Sequence, residues 1–161
     1  MQIDKVVVNS SPLIVLFRSG QADLFPRLFK DIVVPEAVYH EVLAGGEGDA
    51  AKIALPKTPW IIRKQVEITL PVVAWNLGSG ESEVISFALN DCGYRAVIDD
   101  MAARRCAETF GIRTLGTGAL LVLAKRRGLI DSVADCLQRV KNAGLWLSDA
   151  VVQWLINEAG E

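Results

Sequence analysis

The sequence predicts an α/β fold, a single doubly wound domain with a central parallel sheet flanked by helices. Short runs that are apolar at every position alternate with longer segments whose apolar residues recur every three or four positions. Uniformly apolar runs are typical of parallel strands buried on both faces, and alternating strands and helices are typical of doubly wound sheets. Of the 161 residues, 51% are hydrophobic and 22% are charged, so we expect one domain over residues 1–161.

The first predicted strand and helix lie at the beginning of the chain. Lys5–Val8 is a β-branched run that stops at Asn9, which therefore follows a strand. Ser10 or Ser11 can cap the next helix, and Pro12 suits its first turn because the nitrogen of proline needs no partner there.

Two further strands are predicted before the middle of the chain. Residues 32–34 form an apolar run, and Pro35 then opens a helix with Glu41 at the border of its apolar stripe. A glycine-rich loop is expected at residues 45–49, since it lacks the lysine and hydroxyl residue of a phosphate-binding loop. Residues 60–63 form the third run.

Residues 78–105 contain a helix opened by small residues, a short turn, a strand and a second helix. Glu81 lies in the first helical turn and extends the apolar stripe of that helix toward its amino end, so its side chain should point toward the sheet. Glu83 lies off the stripe and is expected in solvent. At the far end of the stretch, Asp99 and Asp100 follow the strand at residues 96–98.

The last part of the chain supplies one more strand and three helices. Residues 111–115 are predicted as a strand that is broken by Gly-Thr-Gly, which contains Thr117, and residues 119–127 as an apolar helix with a basic end. The tail is predicted to hold two helices, and Trp146 and Trp154 are expected in the core.

These assignments place polar side chains at the carboxyl edge of the sheet, where ligand sites of such folds are found. They are Asn9, the pair Asp99 and Asp100, and Thr117, while Glu41 and Glu81 come from helices that lean over the same edge. Acids that approach one another are unfavourable unless a cation or a proton lies between them. Because the set is rich in oxygen and contains no histidine or cysteine, Mg²⁺ or Mn²⁺ is favoured over zinc.

The ordered blocks VVVNSSPLI, IVVPEAVYHEVL, GSGESEVISFAL, AVIDDMAARRCAETFGI and GTGALLVLAKRRGLI span nearly the whole chain. Together they resemble the PIN-domain superfamily, and most closely the VapC-like branch found beside small antitoxins. The resemblance implies a metal-dependent ribonuclease that acts on RNA, requires Mg²⁺ or Mn²⁺, is paired with a small antitoxin protein and forms a homodimer.

Carried over by position, the resemblance assigns the acids of the site. The first acid of the family corresponds to Asn9, the second to Glu41, the third to Glu81, and the fourth to Asp99 or Asp100. These residues would be the metal ligands, and all except Asn9 are candidate catalytic residues. Ser10 and Thr117 would be supporting polar residues. An amide at position 9 can still ligate a cation, but it contributes no charge and cannot act as a base.

The overall charge limits how RNA could be attracted. The net charge is -2 and the isoelectric point is near 5.5, so contacts with a polyanion must come from local basic residues or metal ions. Arg104, Arg105 and Lys125 are candidates for RNA contact. Three cysteines without paired spacing indicate a reducing compartment and small core residues. Since no apolar stretch is long enough for a membrane span or has the flanks of a signal peptide, we expect a cytoplasmic protein.

Three other functions compete with the nuclease. A PIN-like module that has lost catalysis could bind an antitoxin or a second copy of itself, as Asn9 and the apolar tail suggest. A phospho-acceptor receiver domain would carry its acid pair after the first strand, where this chain has Asn9 and Ser10. A nucleophilic triad would depend on His40, the single histidine, which is expected as a partly exposed helix residue.

Overall fold

A computed structural model describes residues 3–161, so residues 1–2 of the predicted domain lie outside the described residues. Five strands form one parallel sheet: Lys5–Val8 (β1), Asp31–Pro35 (β2), Ile61–Lys64 (β3), Arg95–Val97 (β4) and Thr114–Leu115 (β5). Their order across the sheet is β3-β2-β1-β4-β5, which confirms the predicted parallel sheet. β1 is central because the chain winds outward from it in both directions.

Helices connect the strands and cover the sheet. They are Ser10–Arg18 (α1), Leu24–Leu28 (α2), Glu36–Leu43 (α3), Ala50–Ala54 (α4), Leu70–Val73 (α5), Ser79–Asn90 (α6), Met101–Thr109 (α7), Thr117–Arg126 (α8), Val133–Asn142 (α9) and Asp149–Glu158 (α10), with a short 3₁₀ helix at Leu55–Lys57. α5, whose four residues include a proline, was not predicted from the sequence.

The core follows the predicted apolar runs. Every residue of β1 after Lys5 is fully buried, and β2 is buried from Ile32 onward. Strands of this kind need helices on both faces, because a fully apolar strand cannot leave either face in water.

α8 begins earlier than the sequence predicts. Its first residue is Thr117 and its cap is Gly116, so the Gly-Thr-Gly segment starts the helix and does not precede it. The first N–H groups of a helix lack partners within the helix, and here the side chain of Asp99 accepts the one from Thr117. Gly118 lies against α10: a Cβ atom at this position would be 2.5 Å from Cδ1 of the buried Leu155.

Three predictions about burial are wrong, those for Trp146, Trp154 and Cys92. Trp146 is 83% exposed and Trp154 is 58% exposed, although both were expected in the core. Trp146 lies in the segment between α9 and α10, and α10 packs on the domain mainly through Leu155, so Trp154 lies outside. Cys92 is also exposed, in the turn after α6, whereas Cys106 and Cys136 are buried as expected.

Candidate active site at the carboxyl edge of the sheet

The ends of β1, β4 and β5 lie side by side. Val97 pairs with Val8 on one side and with Leu115 on the other, and the backbone N–H of Asn9 donates to the carbonyl of Val97 at 3.0 Å. The residues that follow these strands therefore meet at one edge, as the sequence predicts. They are Asn9, Asp99 and Thr117.

Asp99 is held by Thr117 through both carboxylate oxygens. Oδ1 accepts from the backbone N–H of Thr117 at 2.7 Å, and Oδ2 accepts from its hydroxyl at 2.6 Å. Thr117 is completely buried. Burial raises the pKa of the Asp99 carboxyl above its ordinary value, although the bonds to Thr117 and the charge of Arg104 oppose this rise.

Asp100 has a different role from its neighbour. It is the cap of α7, and its Oδ2 accepts from the backbone N–H of Ala103 at 2.9 Å. Such a bond satisfies one of the free N–H groups of the first helical turn. Asp100 is exposed, so Asp99 is the acid of the pair that faces Thr117.

Arg104 lies beside Asp99. A Cβ atom on Gly116 would be 3.2 Å from a terminal guanidinium nitrogen of Arg104 and 3.3 Å from Oδ1 of Asp99, so both groups lie over this glycine. Yet Arg104 makes no ion pair or side-chain hydrogen bond with any residue from 3 to 161. Its half-buried charge is therefore available to a ligand at this edge.

Glu41 joins three separate segments. Its Oε2 accepts from the hydroxyl of Ser10 at 2.8 Å, and its Oε1 accepts from the backbone N–H of Gly80 at 3.1 Å. The carboxylate thus connects α3 to the ends of β1 and α6. Ser10 was expected to cap α1, but its hydroxyl donates to Glu41 and makes no cap bond.

Glu81 lies in the first turn of α6, as predicted, and is half-buried. A Cβ atom on Gly78 would be 2.6 Å from Oε2 of Glu81, and one on Gly80 would be 2.6 Å from Oε1 of Glu41. Real Cβ atoms do not approach so closely, so these two glycines leave the space that both carboxylates occupy. The sequence Gly-Ser-Gly before a glutamate was the signal for this role, and sequence reasoning did not use it.

A family model described as a PIN domain matches residues 5–161. The chain belongs to the PIN-domain family. PIN domains are generally nucleases that depend on divalent metal ions. No curated protein and no solved structure matched the chain. Within residues 3–161, no helix has the length and apolar character needed to cross a membrane.

The fit of this PIN domain to a divalent ion depends on Asn9. Only 2% of Asn9 is exposed, and its Oδ1 is buried without a hydrogen-bond partner. A buried carbonyl oxygen without a partner is unfavourable by about 1–3 kcal/mol. It is also the type of oxygen that Mg²⁺ and Mn²⁺ bind. The free oxygen of Asn9 therefore fits such an ion.

The carboxylates of this PIN domain lie along the edge and do not form a closed cluster. Among residues 3–161, no three acidic, histidine or cysteine side chains are close enough together to hold a metal ion. Two of the carboxylates use neighbouring donors: Asp99 is bonded by Thr117, and Glu41 by Ser10 and Gly80. Like charges repel, so separate N–H and O–H donors are the favourable partners of isolated carboxylates.

The remaining candidates have varied positions in the PIN domain. Arg105 is exposed on α7, close to Arg104 in sequence. Lys125 lies in the last turn of α8, at the opposite end of the helix from Thr117, where it donates to the carbonyl of Asp131 and lies 3.5 Å from Glu161.

His40 and Glu83, for which the sequence also predicted positions, both lie near or on α3. His40 is exposed on α3 and lies 3.6 Å from Glu36, which agrees with the expectation of a surface histidine. Glu83 was expected in solvent, but its Oε1 accepts from the backbone N–H of Ala37 at 3.1 Å. It thereby stabilises the amino end of α3, the helix that carries Glu41.

Proposed function

We propose that this PIN domain is a ribonuclease that hydrolyses RNA phosphodiester bonds with Mg²⁺ or Mn²⁺. The observation that carries the proposal is the buried, unpartnered Oδ1 of Asn9 at an edge that also holds three acids. The ligands would be Asn9, Glu41, Glu81 and Asp99. Asp100 is a weaker candidate, because its carboxylate already caps α7.

The protein's own groups would orient the site. Thr117 fixes both oxygens of Asp99, while Ser10 and Gly80 fix those of Glu41. When bound, a divalent ion supplies the positive charge that activates a water molecule and stabilises the scissile phosphate. Arg104 and Arg105 would contact neighbouring phosphates, since Arg104 is half-buried and unpaired within the described part of the chain.

Cleavage of a labelled RNA tests this function. The wild type should cleave with Mn²⁺ and not with EDTA, and Asp99→Asn and Glu81→Gln should each lower the rate by about 100-fold or more. Glu108→Gln is the matched control, because Glu108 is an exposed acid on α7 away from this edge. Equal rates in all four proteins would show that the activity does not come from this site.

The finer biological role follows from the resemblance to VapC-like proteins. We infer that the chain is the toxin of a toxin–antitoxin pair, acts in the cytoplasm, and binds a small antitoxin protein as a homodimer. Induced expression in bacteria should then stop growth, and Asp99→Asn should abolish that effect. Growth arrest by both proteins would contradict the toxin role.

A second candidate is a module that binds proteins without catalysis. Two observations favour it: Asn9 stands where the family has an acid, and Trp146 and Trp154 are exposed. Large exposed aromatic residues are common in protein interfaces. Trp146→Ser and Trp154→Ser should then disrupt association measured by light scattering, and RNA cleavage should be undetectable in the wild type.

A further inference from the structure

A pocket of about 390 Å³ lies at the amino edge of the sheet, away from the candidate active site. Lys5 begins β1, Arg95 begins β4, and Arg113 directly precedes β5. All three line the pocket. Because the strands are parallel, residues at their beginnings gather at the edge opposite to the candidate active site. A basic pocket thus lies at the other end of the same strands.

Arg95 and Arg113 are adjacent like charges. Ala96 pairs with Thr114, so the two preceding arginines lie side by side on neighbouring strands. Within residues 3–161, neither arginine forms an ion pair or a side-chain hydrogen bond. Burial, and to a smaller extent the charge of Arg113, lowers the pKa of Arg95. An anion between the two guanidinium groups would relieve both unfavourable effects.

The side chains that line the pocket carry a positive net charge. Asp4 is the single carboxylate among the described residues that line it, against three cations. The carboxyl ends of α6 and α7 face the same edge, and each helix end contributes about half a unit of negative charge. The lining side chains and helix ends together keep about one positive charge, while Asp31 and Asp91 place negative charge beside Tyr94.

The other walls of the pocket are largely apolar. Leu89, Phe110 and Ile112 line it together with Tyr94, whose ring lies 5.6 Å from Nζ of Lys5. The volume lies within the range of small-molecule sites, which combine apolar walls with a few charged groups. A ligand with an anionic group and an apolar part would match these walls.

We propose that this pocket binds a phosphate-bearing nucleotide. Arg95 and Arg113 would contact the phosphate, for which the forked guanidinium group is well suited, and the apolar wall would contact the base. The nucleotide is either a free mononucleotide or one nucleotide of an RNA chain, since both present the same groups. This site uses none of the residues of the candidate active site and requires no metal ion.

Calorimetric titrations in EDTA test the pocket separately from cleavage. The probes are adenosine monophosphate, a ten-nucleotide RNA and inorganic phosphate. Arg95→Gln and Arg113→Gln should each weaken binding about tenfold or more. Arg113 is exposed, so its replacement should leave the melting temperature unchanged even if that of Arg95 does not. Lys57→Gln is the control, because Lys57 is exposed, does not line the pocket and precedes β3, the outer strand on the side of the sheet away from β5.

Protection of Cys92 from alkylation tests whether the ligand binds in this pocket. It lines the pocket and is exposed, whereas Cys106 and Cys136 are buried, so iodoacetamide should modify Cys92 selectively. A saturating ligand should slow this reaction. If the mononucleotide binds the wild type and the arginine variants weaken that binding, the ligand is a free nucleotide. If only the RNA binds in this way, the ligand is an RNA chain.

Several results would overturn the proposal. The proposal fails if neither nucleotide probe binds the wild type, or if both arginine variants bind as tightly as the wild type. Binding that leaves Cys92 equally reactive would place the ligand elsewhere. Inorganic phosphate that binds as tightly as the mononucleotide would contradict the assignment to a nucleotide.

Discussion

The carboxylate of Asp99 accepts hydrogen bonds from two groups of one residue, the backbone N–H and the hydroxyl of Thr117. Asp99 follows β4 and Thr117 begins α8, so these bonds connect neighbouring strand ends at the candidate active site. Burial nevertheless raises the pKa of Asp99. The negative charge is thus oriented but incompletely stabilised, which is the condition under which a cation binds favourably.

Asp99→Asn should be at least as stable as the wild type at pH 8 in EDTA. Because the pKa of Asp99 is raised by folding, the folded chain holds this proton more tightly than the unfolded chain. The stability that this provides is complete below the ordinary aspartate pKa of about 3.9 and is lost as pH rises through the folded pKa. Asparagine can keep the bond from the Thr117 N–H through its oxygen, and its amide N–H can donate to the Thr117 hydroxyl in place of the second bond, without the charge. Melting curves from pH 4 to pH 8 should therefore show the wild type losing stability relative to the variant, and parallel curves would contradict this.

Gly80→Ala should weaken Mn²⁺ binding without lowering the stability of the fold. Its Cβ atom would be within 2.9 Å of three atoms of the Glu41 carboxylate, which must move and lose its bond to the Gly80 N–H. Alanine favours the helical conformation by up to about 1 kcal/mol relative to glycine. We expect an unchanged or raised melting temperature together with weaker Mn²⁺ binding, measured by calorimetry. Gly46→Ala serves for comparison, since nothing lies within 4 Å of a Cβ atom there.

Asn9→Asp should bind Mn²⁺ about tenfold more tightly or better, because affinity increases with the number of charged ligands. Asn9 is almost completely buried, so the new carboxylate should lower the melting temperature in EDTA. Added Mn²⁺ should then raise the melting temperature of this variant more than that of the wild type. Asn142→Asp adds the same charge at an exposed position, and it should change neither the affinity for Mn²⁺ nor the response of the melting temperature to Mn²⁺. If Mn²⁺ does not change the melting temperature of Asn9→Asp, there is no metal site at this edge.

Gly118→Ala should destabilise the fold by about 1–3 kcal/mol, the usual effect of overpacking a core. The new methyl group would lie 2.5 Å from Cδ1 of Leu155 and push α10 away from α8. Leu155→Ala alone should be destabilised by about 2–5 kcal/mol. The double variant should lose less stability than the sum of the losses in the two single variants, because alanine at position 155 leaves room for the methyl group at position 118. Chemical unfolding of the three variants measures this coupling, and strict additivity would exclude the contact.

Glu161→Gln should lower stability at neutral pH. The carboxylate of Glu161 accepts from the backbone N–H groups of Val133 and Ala134 at the start of α9, and these bonds lower its pKa. A pKa that is lower in the folded chain contributes stability above the unfolded value, and this is lost as pH falls through the folded value. The difference in melting temperature between variant and wild type should therefore disappear in acid, opposite to the trend for Asp99. A difference that persists at pH 3 would rule out the ionised cap.

Much of the fold could be predicted because its signals are local. The valines of β1 and the alternation of strands and helices were enough to predict a parallel sheet. The order of strands along such a sheet also brings together the residues that follow them, which is why Asn9, Asp99 and Thr117 were predicted as neighbours. The exposure of Trp146 could not be predicted, since it depends on whether another segment covers it.

The sequence by itself determined the strands and most of the longer helices, the edge of the sheet at which the polar residues gather, and the membership of the PIN-domain family. Only the tertiary structure decided which donor each carboxylate uses. Glu41 bonds to Ser10 and Gly80, which are 31 and 39 residues away along the chain, and Asp99 bonds to Thr117 while Asp100 caps its own helix. The physical reason is that periodicity follows from neighbours along the chain. A hydrogen bond between distant segments depends on distances of a few ångströms that only the packed structure fixes.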